Sequence, residues 1–174
     1  VIYRDLSPGK GLLRVVVECT TLIGGVLIIL GAAMGFTNYL IDAGVPAALL
    51  GWVKAFIHSP LVFLVVLNLF LLVVGCLMDI YSAILVVVPL IIPMGEAYGI
   101  NPVHLGVIFL VNLELGYLTP PVGMNLYLSS YRFDRTVSEV VRSAMPFILI
   151  RLAGLLLITY VPSLSLLLPR LLGR

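Results

Sequence analysis

Gly116-Tyr117-Leu118-Thr119-Pro120-Pro121-Val122-Gly123-Met124-Asn125 interrupts an apolar run, Leu105 to Tyr131, that otherwise reads as one helix. Two adjacent prolines remove two backbone donors. The carbonyls four residues earlier, those of Gly116 and Tyr117, are then expected without partners. Hydrocarbon cannot satisfy such groups. A broken helix at membrane depth therefore survives only inside protein or beside a polar cavity. Secondary transporters build ion and substrate sites from helices broken in this way.

The break makes two half-helices. The first ends near Gly116 with exposed carbonyls and the negative end of its dipole, which suits a cation such as sodium. The second starts near Val122, and its free amides suit an anionic substrate group. Thr119 adds a hydroxyl oxygen. Pro120, Pro121, Gly123 and Asn125 are the residues expected at the substrate. Gly116 and Gly123 let other backbone approach closely. A proline kink used only for packing is the alternative.

The surroundings are those of a membrane protein. Of 174 residues, 61% are hydrophobic, and the mean hydropathy is +1.21. Only 10% are charged, against about 25% in a typical soluble domain. The net charge is +2. The basic residues are too scattered for a nucleic-acid surface, and they sit where helix ends meet lipid headgroups. Cys19 and Cys76 have no pairing or metal-ligand spacing. Val1 is not an initiator Met and no signal peptide follows it, so a piece of a longer chain is expected.

An all-α fold follows. Residues 1–18 read as an amphipathic interfacial arm, with Arg4, Lys10 and Arg14 among headgroups. Residues 19–41 carry no charge and can span the hydrocarbon core. Gly24, Gly25, Gly31 and Gly35 within them suit close helix packing. Residues 46–57 read as a short helix in the interface. Residues 59–95 are two uncharged runs that meet at Asp79 without a hydrophilic loop. That pattern fits a re-entrant hairpin with its tip near residues 75–82. Residues 105–131 form the broken span, 132–142 a polar connector, and 145–161 the last span. Positive charge is densest at 4–14 and 132–142, which places both in the cytoplasm and residues 42–58 and 96–104 outside.

Further residues carry possible chemistry. Asp79 at the hairpin tip can cap the returning helix or help coordinate a cation. Glu114 is expected to pair with Arg132 or Arg151, or to serve transport. Arg151 is expected to snorkel to the headgroups. His104 reads as an interfacial residue. Asn112 should point away from Glu114 on a regular helix.

Three stretches together resemble a known family. They are Gly75-Cys76-Leu77-Met78-Asp79, Asn101-Pro102-Val103-His104, and Asn112 to Leu126 with its Thr-Pro-Pro-Val-Gly block. They look like the large membrane subunit of tripartite ATP-independent periplasmic (TRAP) transporters, and the ending Ile158 to Ser165 fits too. The resemblance covers nearly the whole chain and corresponds to the C-terminal half of such a subunit. It implies one repeat of an inverted-repeat ion-transporter fold, with a re-entrant hairpin and a discontinuous helix. It implies residence in the bacterial inner membrane and import of organic acids, C4-dicarboxylate or sialic-acid-like, by an elevator mechanism. Sodium is the coupling ion and no other cofactor is implied. The implied partners are a small four-helix membrane subunit and an extracytoplasmic solute-binding protein. The family's second sodium site maps onto Gly75, Gly116, Thr119 and Val122. Tyr117 stands where the family often has a smaller aliphatic residue.

Two other classes compete. An intramembrane aspartyl protease needs two membrane-embedded Asp residues, and Asp79 alone qualifies. A zinc protease needs a His-Glu-x-x-His helix, which is absent, so no enzymatic role is expected. A structural or channel-like module needs neither the Pro-Pro break nor the hairpin.

Overall fold

A computed structural model describes residues 10–172. All regular structure among them is helical: α1 (Lys10–Asp42), α2 (Val45–Phe56), α3 (Pro60–Leu77), α4 (Ile80–Ala97), α5 (Pro102–Gly116), α6 (Met124–Phe133), α7 (Val137–Tyr160) and α8 (Pro162–Leu171). α1, α3, α4 and α7 are each long and apolar enough to cross a membrane. The chain is a multi-pass membrane protein.

The arm and the first span are not separate. Residues 10–42 form one helix, and residues 1–9 lie outside the described part. Arg14 and Glu18 face each other one turn apart at 2.8 Å, so the polar end simply extends the helix. Nothing approaches a Cβ placed on Gly24, Gly25, Gly31 or Gly35. The close packing expected at those glycines is absent among the described residues. The polar connector is shorter than expected as well. α6 and α7 leave only residues 134–136 between them, and Thr136 and Glu139 close a capping box that starts α7 early.

The core lies between α3, α4 and α5, from Phe63, Leu67 and Leu71 through Ala83, Val87 and Ile91 to Leu105, Ile108 and Leu113. α3 and α5 approach most closely at two glycines. A Cβ on Gly116 would stand 2.5 Å from the Gly75 carbonyl carbon and 2.6 Å from its Cα. A Cβ on Gly75 would stand 3.0 Å from the Leu113 Cα. Backbone meets backbone there, as small residues allow in membrane helices.

Pro89 sits inside α4 without ending it. The carbonyl it deprives of a donor is that of Leu85. Thr37 of α1 supplies the replacement, its hydroxyl donating to Leu85 O at 2.9 Å. A neighbouring threonine thus keeps the proline-containing helix intact, the usual remedy at membrane depth.

A buried polar chain ties α3, α5, α7 and α8 together. Asn112 Nδ2 donates to Asn68 Oδ1 at 2.7 Å, and Asn68 Nδ2 donates to Thr159 Oγ1 at 3.3 Å. His104 meets Thr159 O at 3.3 Å and Ser165 Oγ at 2.5 Å. His104 is therefore buried, at 3% exposure, and not interfacial. Thr159 O is among the last carbonyls of α7, which lack helical donors. The imidazole supplies one where α7 gives way to α8. Sequence reading missed this network. Its signal was Asn68, a lone amide in an uncharged run.

The glycine contact makes a stability prediction. Gly116→Ala should lower the melting temperature of the detergent-purified protein, with a loss of about 1–3 kcal/mol from overpacking against backbone that cannot yield. Gly25→Ala should leave it unchanged or slightly raised. Equal melting temperatures for the two variants would remove the Gly75–Gly116 contact as a constraint.

Candidate functional site

The helix stops at Gly116, as its two prolines require, and resumes at Met124. Residues 117–123 form tight turns, and the Pro120–Pro121 peptide is cis. The expected orphan carbonyls are not orphans. Gly116 O accepts from Thr119 N at 2.9 Å, and Tyr117 O accepts from Asn125 N at 3.3 Å. The chain tightens before the prolines, so donors at other spacings replace the missing ones. Each carbonyl keeps a second lone pair.

Thr119 is held with its proton turned inward, its Oγ1 donating to Leu115 O at 2.9 Å. That leaves the hydroxyl lone pairs for a ligand. Gly123 is buried under the turn, with φ of +25°. A Cβ there would lie 2.8 Å from Thr119 O and 3.1 Å from Tyr117 O. A side chain would therefore collide with the carbonyls of the break, and the turn needs glycine at this position.

Asp79 is the N-cap of α4. Its Oδ1 accepts from Ser82 N at 2.9 Å and its Oδ2 accepts from Ser82 Oγ at 2.6 Å. Both oxygens are turned onto the first turn of α4, which the capping role demands. Asp79 also lines a cavity of about 360 Å³ with Ser82, Tyr117, Met124 and Asn125, roofed by Val26, Ile29 and Leu30 of α1.

The two interrupted segments therefore meet. Gly75 touches Gly116, and Asp79 and Asn125 share a cavity. Tyr117, at the position where the resembling family often has a smaller aliphatic residue, forms part of its wall. Pro120, Pro121 and Val122 stand on the exposed side of the turn and do not line that cavity. Thr119 is half-buried, tied to the end of α5.

Arg151, expected among the headgroups, has an acidic partner: its Nη1 donates to Glu114 Oε1 at 2.7 Å. Of the two partners considered for Glu114, Arg151 is the one taken. Asn112 is buried on the other side of α5.

The broken helix, packed backbone to backbone against the end of α3, fits the arrangement that the Thr-Pro-Pro-Val-Gly block suggests. Residues 1–164 match the family model described as the DctM component of the tripartite ATP-independent periplasmic transporter. The chain belongs to the DctM family of TRAP transporter permeases. It is 36% identical over 172 residues to the C4-dicarboxylate TRAP transporter large permease protein DctM of Pseudomonas aeruginosa, covering 99% of this chain and 40% of that protein. It is 31% identical over 171 residues to the sialic acid TRAP transporter large permease protein SiaM of Vibrio cholerae, covering 98% of this chain and 40% of that protein. It is also 32% identical over 162 residues to the isethionate TRAP transporter permease protein DctMQ of Oleidesulfovibrio alaskensis, covering 93% of this chain and 25% of that protein. The chain thus spans 40% or less of the length of these relatives of the DctM family.

The two roles considered for Asp79 separate on substitution. Asp79→Ala should destabilise the purified protein by about 1 kcal/mol through loss of the cap. Asp79→Asn should preserve thermal stability, because Asn caps as well as Asp. If Asp79→Asn also loses stability, α4 depends on the carboxylate charge and not on the cap alone.

Proposed function

We propose that this chain is the hairpin and broken-helix portion of a sodium-coupled permease that imports organic acids. Sodium binds among the Gly75, Gly116 and Val122 carbonyls and the Thr119 hydroxyl, beside the Asp79 cap. The substrate's anionic group approaches the turn through Pro120, Pro121, Gly123 and Asn125, at the start of α6. The observation that carries this reading is the Gly75–Gly116 contact, which joins the ends of two interrupted apolar segments. Membership of the DctM family supports it. The substrate class follows from the relatives named for C4-dicarboxylate, isethionate and sialic acid transport.

In this reading α3 and α4 form a re-entrant hairpin, whose ends return to one membrane face. α3 and α5 are locked by their glycines and by Asn68–Asn112, so they travel as one body in an elevator movement. A small membrane subunit braces the complete permease, and an extracytoplasmic binding protein delivers the acid. The site is the bacterial inner membrane, with residues 132–142 cytoplasmic and 96–104 outside. Cysteines at Ser138 and Glu96 of the assembled permease should label from opposite faces. Labelling of both from one face would overturn this orientation.

The sodium ligands are tested at Thr119. Thr119→Val keeps the volume and removes the oxygen. It should weaken sodium by on the order of 1–3 kcal/mol, about tenfold to a hundredfold in affinity. Thr119→Ser retains the hydroxyl and should stay near the parent. The measurement is uptake against sodium concentration in liposomes, using the complete large subunit with its small subunit and binding protein. A Thr119→Val protein that inserts normally and keeps the parental sodium dependence removes Thr119 from the site. No sodium-driven uptake by the parent would favour a structural or channel-like role.

A further inference from the structure

Arg151 lies past the midpoint of α7, while the other basic residues among the described helices stand near helix ends. Its pairing with Glu114 is a single contact, Nη1 to Oε1. A guanidinium presents five N–H donors in a planar fork. Among the described residues no second acceptor meets that fork, so Nε and Nη2 are left for another partner. The two side chains are 46% and 57% exposed, Arg151 and Glu114 respectively. Charge at mid-span does not stand open to hydrocarbon and marks a substrate or ion pathway.

The pair borders a groove of about 500 Å³, whose other walls are apolar: Ile80, Leu110, Leu115, Gly154, Leu155 and Ile158. Small-molecule sites have this size and character, mostly apolar with a few placed polar groups. Ile80 also lines the cavity beside Asp79. That cavity holds an acid and no basic side chain. Among the described residues that border Ile80, Arg151 is the basic side chain available to an organic anion near the helix break.

We propose that the groove between α5 and α7 is a second anion site, where Arg151 takes the carboxylate or sulfonate of a small organic acid. The planar fork suits a planar carboxylate and spreads over a sulfonate. Glu114 is a positioning residue: it fixes one arm of the fork and leaves the rest directed at the ligand. The proposal rests on the organic-acid reading above, but it concerns residues outside the Thr119 turn. The simpler role for the pair is a clamp between α5 and α7, and the test separates the two.

The complete permease, with its small subunit and binding protein, is assayed in liposomes with succinate, isethionate and N-acetylneuraminate. Arg151→Gln should raise the half-saturating concentration of the transported acid about tenfold to a hundredfold, the loss of a charged hydrogen bond. The sodium concentration for half-maximal uptake should not move. Arg151→Lys, which keeps the charge without the fork, should fall between. The exchanged pair Glu114→Arg with Arg151→Glu rebuilds a clamp but reverses the charge order. Recovery of parental half-saturation in that double variant overturns the proposal.

A second measurement does not depend on Arg151 variants folding, nor on sodium coupling. A Cβ at Gly154 meets nothing within 4 Å, so Gly154→Cys is tolerated and reports on the groove. Cys19 is exposed, so it and any other accessible cysteine of the complete permease are replaced by serine in the background. At least one of the three acids should slow labelling of that cysteine by a neutral water-soluble maleimide. Identical labelling rates with and without all three acids overturn the anion site. Protection without sodium-driven uptake would preserve the site while counting against the coupled-transport reading.

Discussion

Gly75 and Gly116 touch through their backbones, with the carbonyl carbon of one where a Cβ of the other would stand. The hydrophobic effect cannot hold two helices together in a bilayer, since lipid tails are as apolar as leucine. Association then depends on close van der Waals contact and on hydrogen bonds. The glycines give the first of these. They bring α3 and α5 near enough for Leu71, Ile108 and Leu113 to interlock, and for Asn68 and Asn112 to bond. Both glycines lie at the last turn before a helix break. The contact that stabilises the pair therefore also brings the two breaks side by side.

Proline is accommodated differently at Pro89 and at Pro120-Pro121. At Pro89 the lost donor is replaced across a helix interface by Thr37, and α4 continues. At Pro120-Pro121 two donors are lost in succession, and the helix stops. The Thr119 and Asn125 amides then take over the stranded carbonyls from within the turn. The first arrangement closes off the polar groups. The second leaves each carbonyl and the Thr119 hydroxyl with lone pairs to spare, and packs the turn so tightly that only a glycine fits at 123. A threonine beside a proline can serve either purpose, depending on where its oxygen is turned.

Polar residues within the spans divide between ties and exposed charge. Asn68, Asn112, Thr159 and His104 are buried and joined to one another. They fasten α3 and α5 to the bend between α7 and α8. Glu114 lies on the other side of α5 and reaches Arg151 across a groove. One helix thus carries a buried polar seam on one side and an exposed charge pair on the other.

Much was determined by the sequence alone. Low charge and long apolar runs require helices in a membrane, because no other open structure satisfies its backbone there. Adjacent prolines fixed the break, and Asp79 between two uncharged runs fixed the junction of α3 and α4. These features are local, so they can be read from neighbours in the chain. The tertiary structure decided what depends on distant residues. It supplied partners for the Gly116 and Tyr117 carbonyls and paired Arg151 with Glu114. It buried His104 at the end of α7, where a carbonyl lacked a donor, and left the glycines of α1 without neighbours. A polar side chain in an apolar span goes to the nearest group that can satisfy it. Which group is nearest is set by how the helices pack, and that is not written in the spacing along any one of them.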